Sequence, residues 1–139
     1  EFHGDAAVEV HAPALDVGEE GFFVPPTVLT GLQPASPAWN EEIFGPVVTL
    51  HPFSGEDEAV GIANNTRYGL AGSVWTSDLE RGKRVSEALQ TGMVWVNTWL
   101  HRDLRVPFGG VRDSGVGREG GSWSLGFFSE AMNVCVKHD

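Results

Sequence analysis

Val47-Val48-Thr49-Leu50-His51-Pro52-Phe53, Leu70-Ala71-Gly72-Ser73-Val74-Trp75-Thr76 and Gly92-Met93-Val94-Trp95-Val96-Asn97 are three β-rich runs separated by two helical patterns. The first separator opens on Ser54-Gly55-Glu56-Asp57, which resembles a capping box, and Ala59, Val60, Ile62 and Ala63 form its apolar side. The second opens on Ser77-Asp78-Leu79-Glu80, a better match to the same box, with Leu79, Val85 and Leu89 along one face. Gly82 weakens that second helix by about 1 kcal/mol relative to alanine. The third run is almost continuously apolar, the pattern of a strand covered on both faces. Residues 47–97 therefore read β-α-β-α-β, which implies a largely parallel sheet with right-handed crossovers. The fold class is α/β.

Outward from this stretch the pattern weakens. Residues 1–20 are an irregular lead-in, with at most one edge strand at 8–10. Residues 21–29 are two short extended pieces joined by Pro25 and Pro26, and Ser36-Pro37 suits a helical start. On the other side, residues 98–121 carry neither a helical nor a strand period. Six glycines (Gly109, Gly110, Gly115, Gly117, Gly120 and Gly121) crowd this segment with Arg102, Arg105, Arg112 and Arg118. A long loop of this kind in a compact domain is usually functional. Residues 122–128 suit a short helix, and residues 130–137 a closing extended strand.

Composition excludes several classes. The 139 residues are 41% hydrophobic and 20% charged, neither a disordered tail nor a membrane protein. Nine basic residues against 19 acidic ones give a net charge of -10, which argues against a nucleic-acid partner. No run approaches the about 18 apolar residues of a membrane span, and no signal-peptide pattern opens the chain. The chain begins at Glu1 without a methionine, so either it is cut from something longer or its first residues are an added, non-native leader. A single cysteine, Cys135, allows no internal disulfide framework, and a cytoplasmic location is the expectation.

Several motifs have plain readings. Gly115-Val116-Gly117-Arg118-Glu119-Gly120 matches G-x-G-x-x-G, but a loop precedes it where a dinucleotide fingerprint needs a strand, so it reads as a glycine-rich connector. Cys135 sits between valines with nothing to present or activate it, and is expected to be a packed or half-buried thiol. The five histidines are scattered, and no metal site is expected. Asn64-Asn65-Thr66 fits a glycosylation sequon and reads better as the turn ending a helix. Glu41-Glu42-Ile43-Phe44-Gly45-Pro46-Val47 differs in kind. A turn at the end of a sheet can offer a carboxylate to a sugar diol, each oxygen accepting one hydroxyl hydrogen; a solvated acidic turn is the alternative.

Four stretches in order resemble the C-terminal region of an aldehyde dehydrogenase. They are Glu41 to Val47 as quoted, Asn65-Thr66-Arg67-Tyr68-Gly69-Leu70-Ala71, the third run, and Pro107-Phe108-Gly109-Gly110 through Ser114-Gly115-Val116-Gly117-Arg118-Glu119-Gly120. The loop Asn97-Thr98-Trp99-Leu100-His101-Arg102-Asp103-Leu104-Arg105-Val106-Pro107-Phe108 and the ending Asn133-Val134-Cys135-Val136-Lys137 are most similar to 2-hydroxymuconic and 2-aminomuconic semialdehyde dehydrogenases. The resemblance implies that residues 21–128 are the C-terminal part of the catalytic domain, and residues 129–139 a strand that pairs with a neighbouring subunit in a homo-oligomer. It implies NAD as cofactor, with Glu42 on the nicotinamide-ribose hydroxyls and Phe44 beside the nicotinamide. Residues 97–108 would close the substrate tunnel, with Trp99, Arg102, Arg105 and Phe108 as substrate contacts. Glu119 matches a family glutamate implicated in proton relay.

Muconic semialdehydes carry a carboxylate remote from the aldehyde, and a guanidinium in the tunnel loop could bind it bidentately. Arg102 is the first candidate and Arg105 the second; the plain alternative is a surface Arg102 paired with Asp103. The family's cysteine nucleophile and glutamate base lie upstream of the matched region, so the chain alone is expected to be inactive and to need the remainder of the same protein. The competing reading is a non-catalytic module that assembles through its terminal strand. Removing the upstream part would also expose apolar faces.

Overall fold

The computed structural model describes residues 8–16 and 21–138. They divide into two compact units, residues 1–62 and 63–139. In the first, β1 (Glu9–His11) runs antiparallel to β2 (Thr27–Thr30), which pairs in parallel with β3 (Val47–Thr49). Pro37 opens the short helix α1 (Pro37–Asn40) after Ser36, as the Ser-Pro pair predicts, and the Glu41 N–H closes it on the Pro37 carbonyl. Leu29, Leu32 and Ala38 are the buried core, with Val8, Trp39, Ile43 and Val47 packed against it. Leu50 donates to the Leu29 carbonyl at 2.9 Å and ends the pairing ahead of Pro52, which has no N–H to give. His51 rests against Trp39, and burial holds its imidazole below the ordinary value. Helix α2 (Glu56–Asn64) follows, with the Ser54 N–H donating to the Glu58 carboxylate at 2.7 Å.

In the second unit β4 (Ala71–Val74) and β5 (Met93–Val96) are parallel neighbours, and α3 (Leu79–Ala88) crosses between them and packs on both. The cap of α3 is Asp78, one residue later than the Ser77 box predicts. Its carboxylate accepts the Glu80 and Arg81 amides at 3.0 and 3.1 Å, bonds that hold its pKa below the usual carboxylate value. Gly82, a cost to the helix on propensity alone, faces β5. A Cβ there would come within 2.7 Å of a Val96 methyl, so the glycine lets α3 approach the sheet. Asn97 continues β5 at φ 55° and exchanges two 2.8 Å side-chain hydrogen bonds with the Thr76 backbone. Asn64 bonds the Gln90 amide and the Ala88 carbonyl through its own amide group, the turn role expected for it. No helix among the described residues is long and apolar enough to cross a membrane.

The order β3-α2-β4-α3-β5 follows the predicted alternation, and the α/β class stands. Within the first unit β3 pairs with β2, a neighbour the sequence does not announce, and within the second β4 pairs with β5. An apolar period marks a strand but not its neighbour, because any adjacent backbone can complete the ladder. Residues 130–137 enter no strand ladder among the described residues; the pairing expected of them is with a neighbouring subunit, because a strand needs a partner's N–H and C=O groups. Cys135 within them is accordingly exposed, not packed, with its Sγ 3.7 Å from Asn133 Oδ1. The sheet expected to be covered on both faces is only half-buried at every position of β4 and β5.

Candidate functional site

The glycine-rich segment 98–121 is a folded loop. Phe108 and Glu119 exchange two backbone hydrogen bonds of 2.8 Å as an antiparallel pair, doubling the chain back on itself. Residues paired this way present their side chains on one side of the ladder. Gly92 allows the doubled chain to lie on the sheet, since a Cβ there would overlap the Gly109 carbonyl. Two of the four loop arginines fasten it. Arg118 donates to the Gly110 and Gly117 carbonyls at 2.8 and 2.7 Å. Arg112 donates to the Asn64 carbonyl at 2.9 Å, and also to the Thr66 carbonyl and the Gln90 side chain. Gly120 precedes helix α4 (Gly121–Phe127), and the G-x-G-x-x-G glycines lie in this connector, with no strand leading into them.

The other two arginines have separate partners. Arg102 lies with its guanidinium 4.0 Å from the centre of the Phe108 ring and donates from Nη2 to Glu119 Oε1 at 2.6 Å. The Phe108–Glu119 pair thus brings together three residues singled out from sequence. Asp103 is taken by Arg105, not Arg102: the Arg105 Nε donates to Oδ1 at 2.9 Å and its Nη2 to Oδ2 at 2.5 Å. This contact holds the Asp103 carboxyl below its usual range and raises the Arg105 guanidinium further. Arg105 is 87% exposed against 42% for Arg102, so Arg102 is the better placed of the two for a ligand. Beside it a cavity of about 250 Å³ is lined by Met93, Trp95, His101, Arg102, Pro107 and Phe108 among others. Trp99 meets Trp95 edge-on at 5.2 Å, and the Trp95 indole donates to the His101 carbonyl at 2.8 Å.

Glu42 and Phe44 belong to the first unit, in the turn between α1 and β3. Thr27 donates to the Pro46 carbonyl at 2.8 Å, fixing the Gly45-Pro46 corner as it enters β3. Phe44 is 93% exposed. Glu42 is exposed and makes no side-chain hydrogen bond or ion pair with another described residue, so both carboxylate oxygens can accept hydroxyls. The positioning roles of Asn97, Arg112 and Arg118 escaped the sequence reading. For Arg118 the one signal was its place among glycines, which leave backbone carbonyls uncovered; Arg112 reaches the Asn64 and Thr66 carbonyls and the Gln90 side chain, far away in sequence.

The sequence profile described as "Aldehyde dehydrogenase family" matches residues 5–134. The chain is 52% identical to the 2-aminomuconic 6-semialdehyde dehydrogenase of Pseudomonas sp, covering 89% of this chain and 25% of that protein. It is 50% identical to the 2-hydroxymuconic semialdehyde dehydrogenase of Pseudomonas putida, covering 84% and 24%. An NAD-dependent aldehyde dehydrogenase from Sinorhizobium meliloti superposes with a TM-score of 0.81 at 36% identity, over 88% of this chain and 24% of that one. The chain belongs to the aldehyde dehydrogenase family. It spans about a quarter of the length of the curated relatives it matches.

Proposed function

We propose that these residues form the C-terminal part of an NAD-dependent aldehyde dehydrogenase that oxidises a semialdehyde bearing a distal carboxylate, of the 2-hydroxymuconic or 2-aminomuconic type. The observation that carries this reading is Arg102, held over Phe108 at the rim of a cavity. A guanidinium has five donors in a fixed fork that suits a carboxylate, and Arg102 already engages one, that of Glu119. The names of the 52% and 50% identical relatives support the same substrate class.

In this reading Arg102 binds the far carboxylate and Phe108 walls the chain of the substrate, with Trp99 behind; remote binding of this kind orients the aldehyde for reaction. Glu119, within the same cluster, passes a proton. Glu42 accepts the nicotinamide-ribose hydroxyls and Phe44 packs beside the nicotinamide; an exposed carboxylate without an intrachain partner and an exposed ring suit those tasks. NAD, when bound, accepts the hydride that the aldehyde carbon loses. The cysteine nucleophile and glutamate base belong to the upstream remainder of the protein, which acts in the cytoplasm. Residues 129–139 gain a strand partner from a neighbouring subunit, which would cover their exposed Met132, Val134 and Val136.

The test is a paired assay of NADH formation with a carboxylated semialdehyde. The full-length enzyme turns over, and the 139-residue chain alone does not. Turnover by the short chain would contradict the division of labour, and a full-length protein without activity would contradict the reaction.

A further inference from the structure

Arg102 rests one face of its guanidinium on the Phe108 ring, an attractive cation–π contact, and keeps 42% of its side chain exposed. The ion-pair partner is Glu119. Its Oε1 accepts from Arg102 Nη2 at 2.6 Å, and its position is fixed by the backbone pairing of its own residue with Phe108. Ring, guanidinium and carboxylate therefore stand as one assembled group across 17 residues of sequence. Asp103, nearer in sequence, is engaged by Arg105.

We propose that Glu119 is a placeholder for the substrate's distal carboxylate: it occupies Arg102 in the free enzyme and yields that position when a carboxylated ligand binds. This rests on the reading of Arg102 as the carboxylate site. One carboxylate replaces another on the same guanidinium, so binding changes little in net pairing. An uncharged aldehyde offers no replacement and leaves the Arg102–Glu119 pair closed. In ligand choice Glu119 acts through Arg102, as a positioning residue, separately from the proton transfer assigned to it, so binding and not turnover is the readout. Competition of this kind lowers apparent affinity for the ligand by whatever the internal pair is worth. With the two side chains 42% and 56% exposed, the pair belongs to the weak surface class.

Hexanoate and hexanamide, alike in length and differing in charge, are suitable probes by calorimetric titration of the full-length enzyme. Glu119→Gln is expected to tighten hexanoate by about 1.5- to 5-fold, the range such ion pairs represent, and to leave hexanamide unchanged. In an Arg102→Gln background the same substitution is expected to do nothing to either probe. Equal tightening of both probes, or weaker hexanoate binding in Glu119→Gln, would overturn the placeholder role while the Arg102 site stands. Unchanged hexanoate affinity in Arg102→Gln would overturn the site itself and the placeholder with it. Binding of hexanamide together with an unaltered thermal melt shows that each variant is folded.

Discussion

Replacing Arg102 by alanine in the full-length enzyme is expected to lower kcat/KM for a semialdehyde with a distal carboxylate by about 10- to 150-fold, the value of hydrogen bonds to a charged group. An uncharged aldehyde of the same length is little affected. The asymmetry follows from where Arg102 sits. Its guanidinium is stacked on Phe108 and held at one nitrogen by Glu119, a carboxylate that a ligand's carboxylate can replace. Arg105 is already held by Asp103 through two nitrogens. The lysine variant falls between wild type and alanine, since an ammonium keeps the charge and loses the planar fork. Steady-state kinetics on the two aldehydes decide the point: equal losses on both would mean that Arg102 only supports the loop.

The second large effect is expected at Glu42. In Glu42→Gln one of the two acceptor oxygens becomes a donor amide and the charge is lost, so the two hydroxyls of a ribose no longer find matching acceptors. KM for NAD rises by about 10-fold or more. The substitution is isosteric and the residue exposed, so the fold is undisturbed. Initial rates at varied NAD and saturating aldehyde measure it, and an unchanged KM for NAD would remove Glu42 from the cofactor site.

The crossover β4-α3-β5 was legible in the sequence because its signals agree: apolar runs for the strands, a capping box at Ser77, one residue ahead of the observed Asp78 cap, and a helical stripe between. Partners were less legible than elements. Val47-Val48-Thr49 announces a strand, but only the structure shows that Thr27–Thr30 is its neighbour. The same holds for charges. Asp103 adjoins Arg102 in sequence, yet the doubled loop carries Arg102 to Glu119 and leaves Asp103 to Arg105. The ending from 130 reads as a strand because Val134 and Val136 alternate with other residues, but a strand is a relation between two segments, and no ladder among the described residues includes this one. Candidate site residues were legible through the family resemblance. Their grouping was not, because it depends on the Phe108–Glu119 pairing within a segment that has no period.

The central claim is that this loop selects a carboxylate at the far end of the substrate. Its most direct measurement is the ratio of kcat/KM for a six-carbon semialdehyde carrying a free carboxylate to that for its methyl ester, in the wild-type full-length enzyme. The ester keeps length and shape and removes the charge that Arg102 would bind. A preference for the free carboxylate of about 10-fold or more is expected, and equal efficiency or a preference for the ester would contradict the account.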